Sequence, residues 1–135
     1  MKIMGMDIGE KRIGIALTDS DKELSIPHSI IKNDRYFQKK FNQILDDEAI
    51  EKIIIGMPYT LKKEIGEQGK KVIDFVKDKI LGIGMEVVYQ DERFTSKFPV
   101  DGYLKKNKLR KYIDKYSAAL ILQSYLDRKK RVNDE

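Results

Sequence analysis

The sequence contains no cysteine and a single histidine. That removes disulfides, thiolate metal centres and histidine-based metal clusters together. Any metal the protein binds must then rest mainly on carboxylate oxygens, the donor set of Mg²⁺, Mn²⁺ or Ca²⁺. No run of about eighteen apolar residues occurs, so no segment reads as a membrane-spanning helix. The N-terminal stretch opens directly in a strand-like pattern, without the layout of a secretory signal, and a cytoplasmic location is expected. Internal repeats, linkers and low-complexity segments are also missing, and 135 residues fit one domain over 1–135. Charge of one sign is only mildly in excess: 27 Lys and Arg stand against 22 Asp and Glu, a net +5. That balance permits binding to a polyanion without requiring it. A well-solvated surface accounts for it equally.

Hydrophobic residues make up 41% of the chain, enough for one core. "KIMGMDI" (2–8) and "RIGIALTD" (12–19) read as strands joined by a turn at "GEKR". A third strand is expected at 24–31, with Pro27 marking it as an edge. Phe37, Phe41, Ile44 and Leu45 recur at helical spacing within 34–48, with Asp34 as the expected N-cap. "KIII" (52–55) is a short buried strand. The polar stretch "GMPYTLKKEIGEQG" (56–69) is long for a domain of this size and reads as a candidate functional loop. A second helix spans 69–81, ending at "GIG", and "MEVVYQ" (85–90) is a further strand. Ser96 would cap a short helix that tolerates Pro99 in its first turn. The basic stretch 105–111 reads as a loop, and a last helix runs over 112–128. The order β-β-β-α-β-α-β-α-α implies an α/β fold, a mixed sheet with helices on both faces.

Three carboxylates attract attention. A four-residue turn in the first hairpin pairs Ile8 with Ile13, Met6 with Ile15 and Met4 with Leu17, one wholly apolar face. The other face then pairs Asp7 with Gly14 and Gly5 with Ala16. Asp7 thus faces a patch stripped of side chains, with room for a hydrated ion or a phosphate; the plainer role is a cap of the turn at Gly9. In "QDERFTS", Asp91 and Glu92 point to opposite faces if the strand runs through them, so only one reaches a common site, and periodicity does not choose. A solvated strand end is the plainer reading. In the last helix Ala118, Ala119, Ile121, Leu122, Tyr125 and Leu126 form an apolar stripe, and Asp114 lies one turn ahead of Ala118 on the same side. As a first-turn residue it also suits the helix dipole, which is its plainer role. Three carboxylates on separate elements, with no Cys or His cluster, suggest a two-metal phosphoryl-transfer site.

These segments resemble the YqgF/RuvX family, described as Holliday junction resolvases and as nucleases that mature the 5′ end of precursor small-subunit ribosomal RNA. "GMDIGEKRIGIALTD" looks like that family's first hairpin, and "IIIGMP" like its fourth strand and following loop. "DERFTS" is similar to its Asp-Glu-Arg motif and "DKYSAALILQSYLD" to its closing helix. The resemblance covers nearly the whole chain, in order. It implies a ribonuclease H-like fold, with three antiparallel strands followed by two parallel to the first. It implies Asp7, Glu92 and Asp114 as an acidic catalytic triad holding two Mg²⁺ or Mn²⁺ ions, which resolves the Asp91/Glu92 ambiguity toward Glu92. Asp91 is then supporting. Arg93, Thr95 and Ser96 become candidate phosphate or framework contacts. The chain departs from the family after "GMP", where Tyr59, Thr60 and Lys63 stand in place of the usual pair and glycine-rich segment.

Lys11 and Arg12 in the first turn, and Lys105, Lys106, Lys108, Arg110 and Lys111 ahead of Asp114, are candidate nucleic-acid contacts. A solvated face is the usual reading of such runs, as it is for Lys62, Lys63 and "RKKR" at 128–131. His28, in the edge segment, reads as structural. The expected function is a metal-dependent endonuclease acting on structured RNA precursors or branched DNA; a symmetric junction would call for a homodimer. Two other readings stand beside it. One is a non-catalytic nucleic-acid-binding module of ribosome assembly. The other is an ATP-binding fragment, since "DIGEKRIG" also resembles the first phosphate loop of actin-like kinases.

Overall fold

The computed structural model describes residues 1–92 and 106–134, with side chains described over 1–92 and 116–131. Five strands form one sheet: β1 (Lys2–Ile8), β2 (Arg12–Thr18), β3 (Ser25–Lys32), β4 (Ile50–Met57) and β5 (Glu86–Asp91). Among the described residues three α-helices accompany it, α1 (Phe37–Asp47), α2 (Glu67–Lys79) and α3 (Lys106–Asp134), with a 3-10 turn at Leu81–Ile83. The spatial order is β3-β2-β1-β4-β5. β2 runs antiparallel to β1 and to β3, whereas β4 is parallel to β1 and β5 to β4.

The β1–β2 register is the one that the alternation of apolar residues demands: Met4 with Leu17, Gly5 with Ala16, Met6 with Ile15, Asp7 with Gly14 and Ile8 with Ile13. A slip of one residue would turn Met4, Met6, Ile13 and Ile15 out of the core, which fixes the pairing. These side chains meet Phe37 and Phe41 of α1 and Val72 and Val76 of α2 on one face. Phe37 stacks on Phe41 at 5.3 Å between ring centroids and meets the edge of Phe75 at 5.1 Å. The opposite face carries Ile3, Ala16 and Ile54 against Ala118, Ile121 and Leu122 of α3. The sheet is therefore covered on both faces, which suits the run Ile53, Ile54 and Ile55, buried throughout.

Several boundaries differ from the sequence reading. α1 starts at Phe37 rather than near Asp34. Asp34 Oδ1 accepts the Tyr36 N–H (2.9 Å) and its carbonyl accepts the Phe37 N–H (3.1 Å). The aspartate builds a turn ahead of the helix instead of capping it. β4 continues to Met57 and α2 opens at Glu67, which shortens the loop between them. That loop closes on itself through a Tyr59–Ile65 bridge and the Thr60 N–H to the Glu64 carbonyl (2.9 Å). The largest difference is α3. It begins at Lys106, so most of the expected basic loop at 105–111 is helix. Charge suggested a loop there, but lysine, leucine and arginine are good helix formers. Asp114 consequently lies beyond the first turn, and the dipole role falls away. The short helix expected after Ser96 lies outside the described residues.

Candidate active site

Asp7 sits on the α3 face of β1, two residues beyond Gly5. A Cβ on Gly5 would come within 2.6 Å of Leu122 Cβ and 2.9 Å of the Ala118 carbonyl. Much of the patch that looked empty in the sequence is thus filled: its lack of side chains lets α3 lie against the sheet. On the other side of β1, the parallel register pairs Met6 with Ile55, which brings Gly56 level with Asp7. A Cβ on Gly56 would meet the Glu92 carboxyl carbon at 3.7 Å and would collide with the end of the Ile121 side chain. Glycine at 56 lets the Ile121 side chain of α3 lie against β4, with the Glu92 carboxyl group alongside.

Glu92 follows directly after β5, whose last residue is Asp91. Its carboxyl group hydrogen-bonds Asp7. Burial, then the adjacent Asp7 charge and that hydrogen bond, with Asp91 contributing least, push Glu92 up to about 8. At neutral pH Glu92 therefore keeps its proton beside Asp7. Two acidic side chains converge where each raises the other's cost of ionisation. That arrangement is typical of a functional site rather than a framework contact.

The chemistry of this donor set fits a hard divalent cation. Carboxylate oxygens are its preferred ligands, and a cation would take the place of the Glu92 proton. Among the described residues no group of three or more His, Cys, Asp or Glu side chains is assembled. Asp7 and Glu92 provide two donors, and the Asp114 side chain lies outside the described residues.

The turn after Asp7 is braced from two directions. The Gly9 N–H donates to the Arg12 carbonyl (2.9 Å), and a Cβ on Gly9 would lie 2.8 Å from that same oxygen, so glycine is needed for the turn to close. Asn33 Nδ2 donates to the Gly9 carbonyl (3.0 Å), and the Asn33 N–H donates to the Lys11 carbonyl (2.9 Å). Glu10 forms an ion pair with Lys71 of α2, which lowers the Glu10 carboxyl and raises the Lys71 amine through their hydrogen bond. Lys11 and Arg12 are exposed on this turn, beside the carboxylates. Sequence reasoning missed Asn33 and Gly56. Asn33 is legible only as a turn-former after a strand, and Gly56 only once the helix that packs against it is known.

Of the other expected contacts, Arg93, Thr95, Ser96 and Lys105 lie outside the described residues. Lys106, Lys108, Arg110 and Lys111 fall on the first two turns of α3, with their side chains outside. Lys62 and Lys63 are exposed in the closed loop after β4. His28 is exposed on β3, the edge strand, where Nδ1 meets Ser29 Oγ at 3.0 Å.

Comparison with known proteins bears directly on this geometry. A family profile described as "RuvX: Holliday junction resolvase" matches residues 1–128. A protein of Sulfurihydrogenibium sp. (strain YO3AOP1) named "Putative pre-16S rRNA nuclease" is 43% identical over 132 residues, covering 94% of this chain and 90% of its own. The Thermus thermophilus RuvC structure superposes with a TM-score of 0.58 at 11% identity, covering 96% of each chain. The Fowlpox virus resolvase, solved in complex with substrate Holliday junction DNA, gives a TM-score of 0.53 at 18% identity, with 95% of this chain and 98% of that one covered. Both share the ribonuclease H-like arrangement of three antiparallel and two parallel strands.

Proposed function

The chain belongs to the RuvX family of Holliday junction resolvases, and from that premise we propose that it is a divalent-metal-dependent nuclease whose reacting centre is built on Asp7 and Glu92. The observation that carries the proposal is the hydrogen-bonded Asp7–Glu92 pair, with Glu92 pushed up to about 8. Two half-buried acids brought together raise each other's cost of ionisation, and a bound cation removes that cost.

Asp114 is the proposed third member. The packing of α3 on β1 supports it. Leu126 belongs to the cluster that includes Ile3, and Ala118 and Leu122 pack on Gly5. The helix therefore advances toward its N-terminus as β1 advances toward Asp7. Four helical residues rise about 6 Å and two strand residues about 6.6 Å. The same register carries the helix turn at 114 to the level of Asp7.

In this reading Asp7, Glu92 and Asp114 would hold Mg²⁺ or Mn²⁺. A bound divalent ion supplies Lewis-acid charge at the phosphodiester oxygens and lowers the cost of forming the attacking hydroxide. The chain's own residues do the rest. Asp7 and Glu92 set donor oxygens at the ends of β1 and β5, on either side of β4. Gly56, level with Asp7 on β4, lets the Ile121 side chain of α3 pack close to the sheet. Lys11 and Arg12, on a turn held by Asn33, offset the charge of the approaching backbone. Arg93, Thr95 and Ser96, together with Lys105, Lys106, Lys108, Arg110 and Lys111, are the proposed further contacts. The substrate is a precursor of small-subunit ribosomal RNA or a branched DNA; a four-way junction would engage two copies of the chain.

A cleavage assay tests this. Branched DNA, single-stranded RNA and precursor ribosomal RNA are each incubated with the protein in Mg²⁺, Mn²⁺ and EDTA. Metal-dependent cleavage of at least one substrate, abolished by EDTA, is the expected result. Salt-sensitive binding to all three with no cleavage in any metal would instead make the chain a non-catalytic assembly module.

A further inference from the structure

We propose that the flank of α3 facing β5 carries the phosphate backbone of the substrate away from the carboxylates, with Arg128 as the first contact and the Lys52–Lys129 pair as the next. The inference rests on the nuclease reading above and adds which side of the molecule the nucleic acid follows. It assigns three contacts in the half of the sheet that the turn at Lys11 and Arg12 does not reach.

Position comes first. The register that sets Gly56 level with Asp7 also pairs Gly56 with Gln90. Asp7, Gly56 and Gln90 thus form one row across β1, β4 and β5, about 10 Å long. All three lie on the face that α3 covers. Asp7 shares that face with Gly5, a Cβ on Gly56 would meet Ile121, and Gln90 reaches Ser124 and Arg128. Glu92 comes two residues after Gln90, with its carboxyl carbon beside Gly56. Lys52 is four residues before Gly56 in β4, on the same face, with Ile54 between them under α3. Four strand residues span about 13 Å, a distance of a few nucleotides. Arg128 joins the two levels: it is anchored on Gln90 and is the neighbour of Lys129 in α3.

Chemistry comes second. Gln90 is 2% exposed, and a buried amide needs a partner at each end. Its Nε2 donates to Ser124 Oγ (3.2 Å), and its Oε1 accepts from Arg128 Nη1 (3.2 Å). Arg128 itself is exposed. One N–H of the guanidinium is therefore fixed on a neutral side chain, which leaves the full charge in place. Among the described residues the guanidinium has no other partner, so the rest of the fork can take a phosphate. Lys52 Nζ and Lys129 Nζ both donate to the Tyr125 hydroxyl, at 3.1 Å and 3.3 Å, and both lie over its ring. Two like charges drawn onto one neutral acceptor repel each other, and a phosphate beside both offsets that cost. The nearby acids are largely engaged elsewhere: Glu51 pairs with Lys22, and Asp127 accepts from Gln123 (3.0 Å). Glu86, opposite Lys52 across the strands, sets one exposed carboxylate against three cations. A tie between α3 and β5 alone would need no charge, since Gln90 and Ser124 already make one.

The test is equilibrium binding of a labelled single-stranded RNA of about 12 nucleotides, followed by fluorescence anisotropy in EDTA so that cleavage plays no part. Arg128→Gln is expected to weaken binding about 5- to 20-fold and to reduce the slope of log affinity against log salt by about 0.7. Arg128→Lys, which keeps the charge but not the fork, should restore the slope and recover part of the affinity. The double variant Lys52→Gln, Lys129→Gln should reduce the slope by about 1.4. Lys39→Gln, exposed on α1 at the opposite face, should leave it unchanged. An Arg128→Gln protein with a lower melting temperature but the parent's slope would make the Gln90–Arg128 bond a structural tie and overturn the proposal. An equal slope change in Lys39→Gln would also overturn it, since only net charge would then matter. So would inorganic phosphate that raises the melting temperature of the parent but not of the double variant while both bind RNA alike, which would give the lysines to a small free anion. Failure of the parent protein to cleave anything would sink the nuclease reading but leave this binding result standing.

Discussion

Asp7 and Glu92 are eighty-five positions apart in the chain, yet Asp7 helps to set the protonation of Glu92. The sign of the consequence follows from the direction of the shift. Glu92 has its folded value raised from 4.5 to about 8. Between those pH values the folded state holds a proton that the unfolded state has lost, so metal-free stability falls as pH rises through that window. The decrease amounts to about 2–4 kcal/mol for a shift of this size after allowance for solvent screening. Glu10, Glu48 and Glu51 are shifted downward, and their contributions are lost only as pH falls below that window. Urea denaturation in EDTA at pH 5 and pH 8.5 should show the decrease in the parent protein and not in Glu92→Gln. Equal slopes in the two proteins would mean that the pair is not coupled. At this scale the sequence showed Asp7 clearly, because the glycines opposite it break an otherwise apolar pattern. It could not choose between Asp91 and Glu92 on periodicity, since the choice depends on where β5 stops.

At the scale of elements, the two faces of the sheet do different work. α1 and α2 cover one face, where Phe37, Phe41, Val72 and Val76 meet the large apolar side chains of the strands. α3 approaches the other face over Gly5, Ala16 and Gly56, positions with little or no side chain. Gly5→Ala places a methyl group 2.6 Å from Leu122 Cβ and 2.9 Å from a backbone oxygen. Neither neighbour can swing aside, so α3 must move, at a cost of about 1–3 kcal/mol. Phe41→Ala on the opposite face should cost more, about 3–5 kcal/mol. The contrast lies in activity measured well below either melting temperature. Gly5→Ala should impair cleavage because α3 carries Asp114, whereas Phe41→Ala should leave cleavage near the parent rate. The reverse ranking in activity would detach α3 from the site. Strands, register and the apolar stripe of α3 were legible because they rest on alternation and spacing. The start of α3 was not, because "KKNKLRK" has a loop's charge and a helix's intrinsic propensity. The start of α1 was misplaced because an aspartate near a helix either caps it or builds the turn before it.

For the molecule as a whole, the excess of five positive charges is too small to identify a polyanion-binding protein by itself, and placement matters more than number. Arg12 and Lys32 pair across β2 and β3, with Lys11 next in the turn, a grouping that only the strand pairing reveals. The β-order and the mixed sheet could be expected from the sequence, and the resemblance to the family implied which acidic residues to group. The central claim is that Asp7 is indispensable to hydrolysis because it holds the divalent ion. The most direct measurement is the cleavage rate of Asp7→Asn in saturating Mn²⁺, on a substrate that the parent protein cuts, with the melting temperature recorded alongside. The account predicts a loss of at least about 1000-fold, worth roughly 4 kcal/mol in the barrier, with the fold intact. A folded Asp7→Asn protein that cleaves at the parent rate would contradict it.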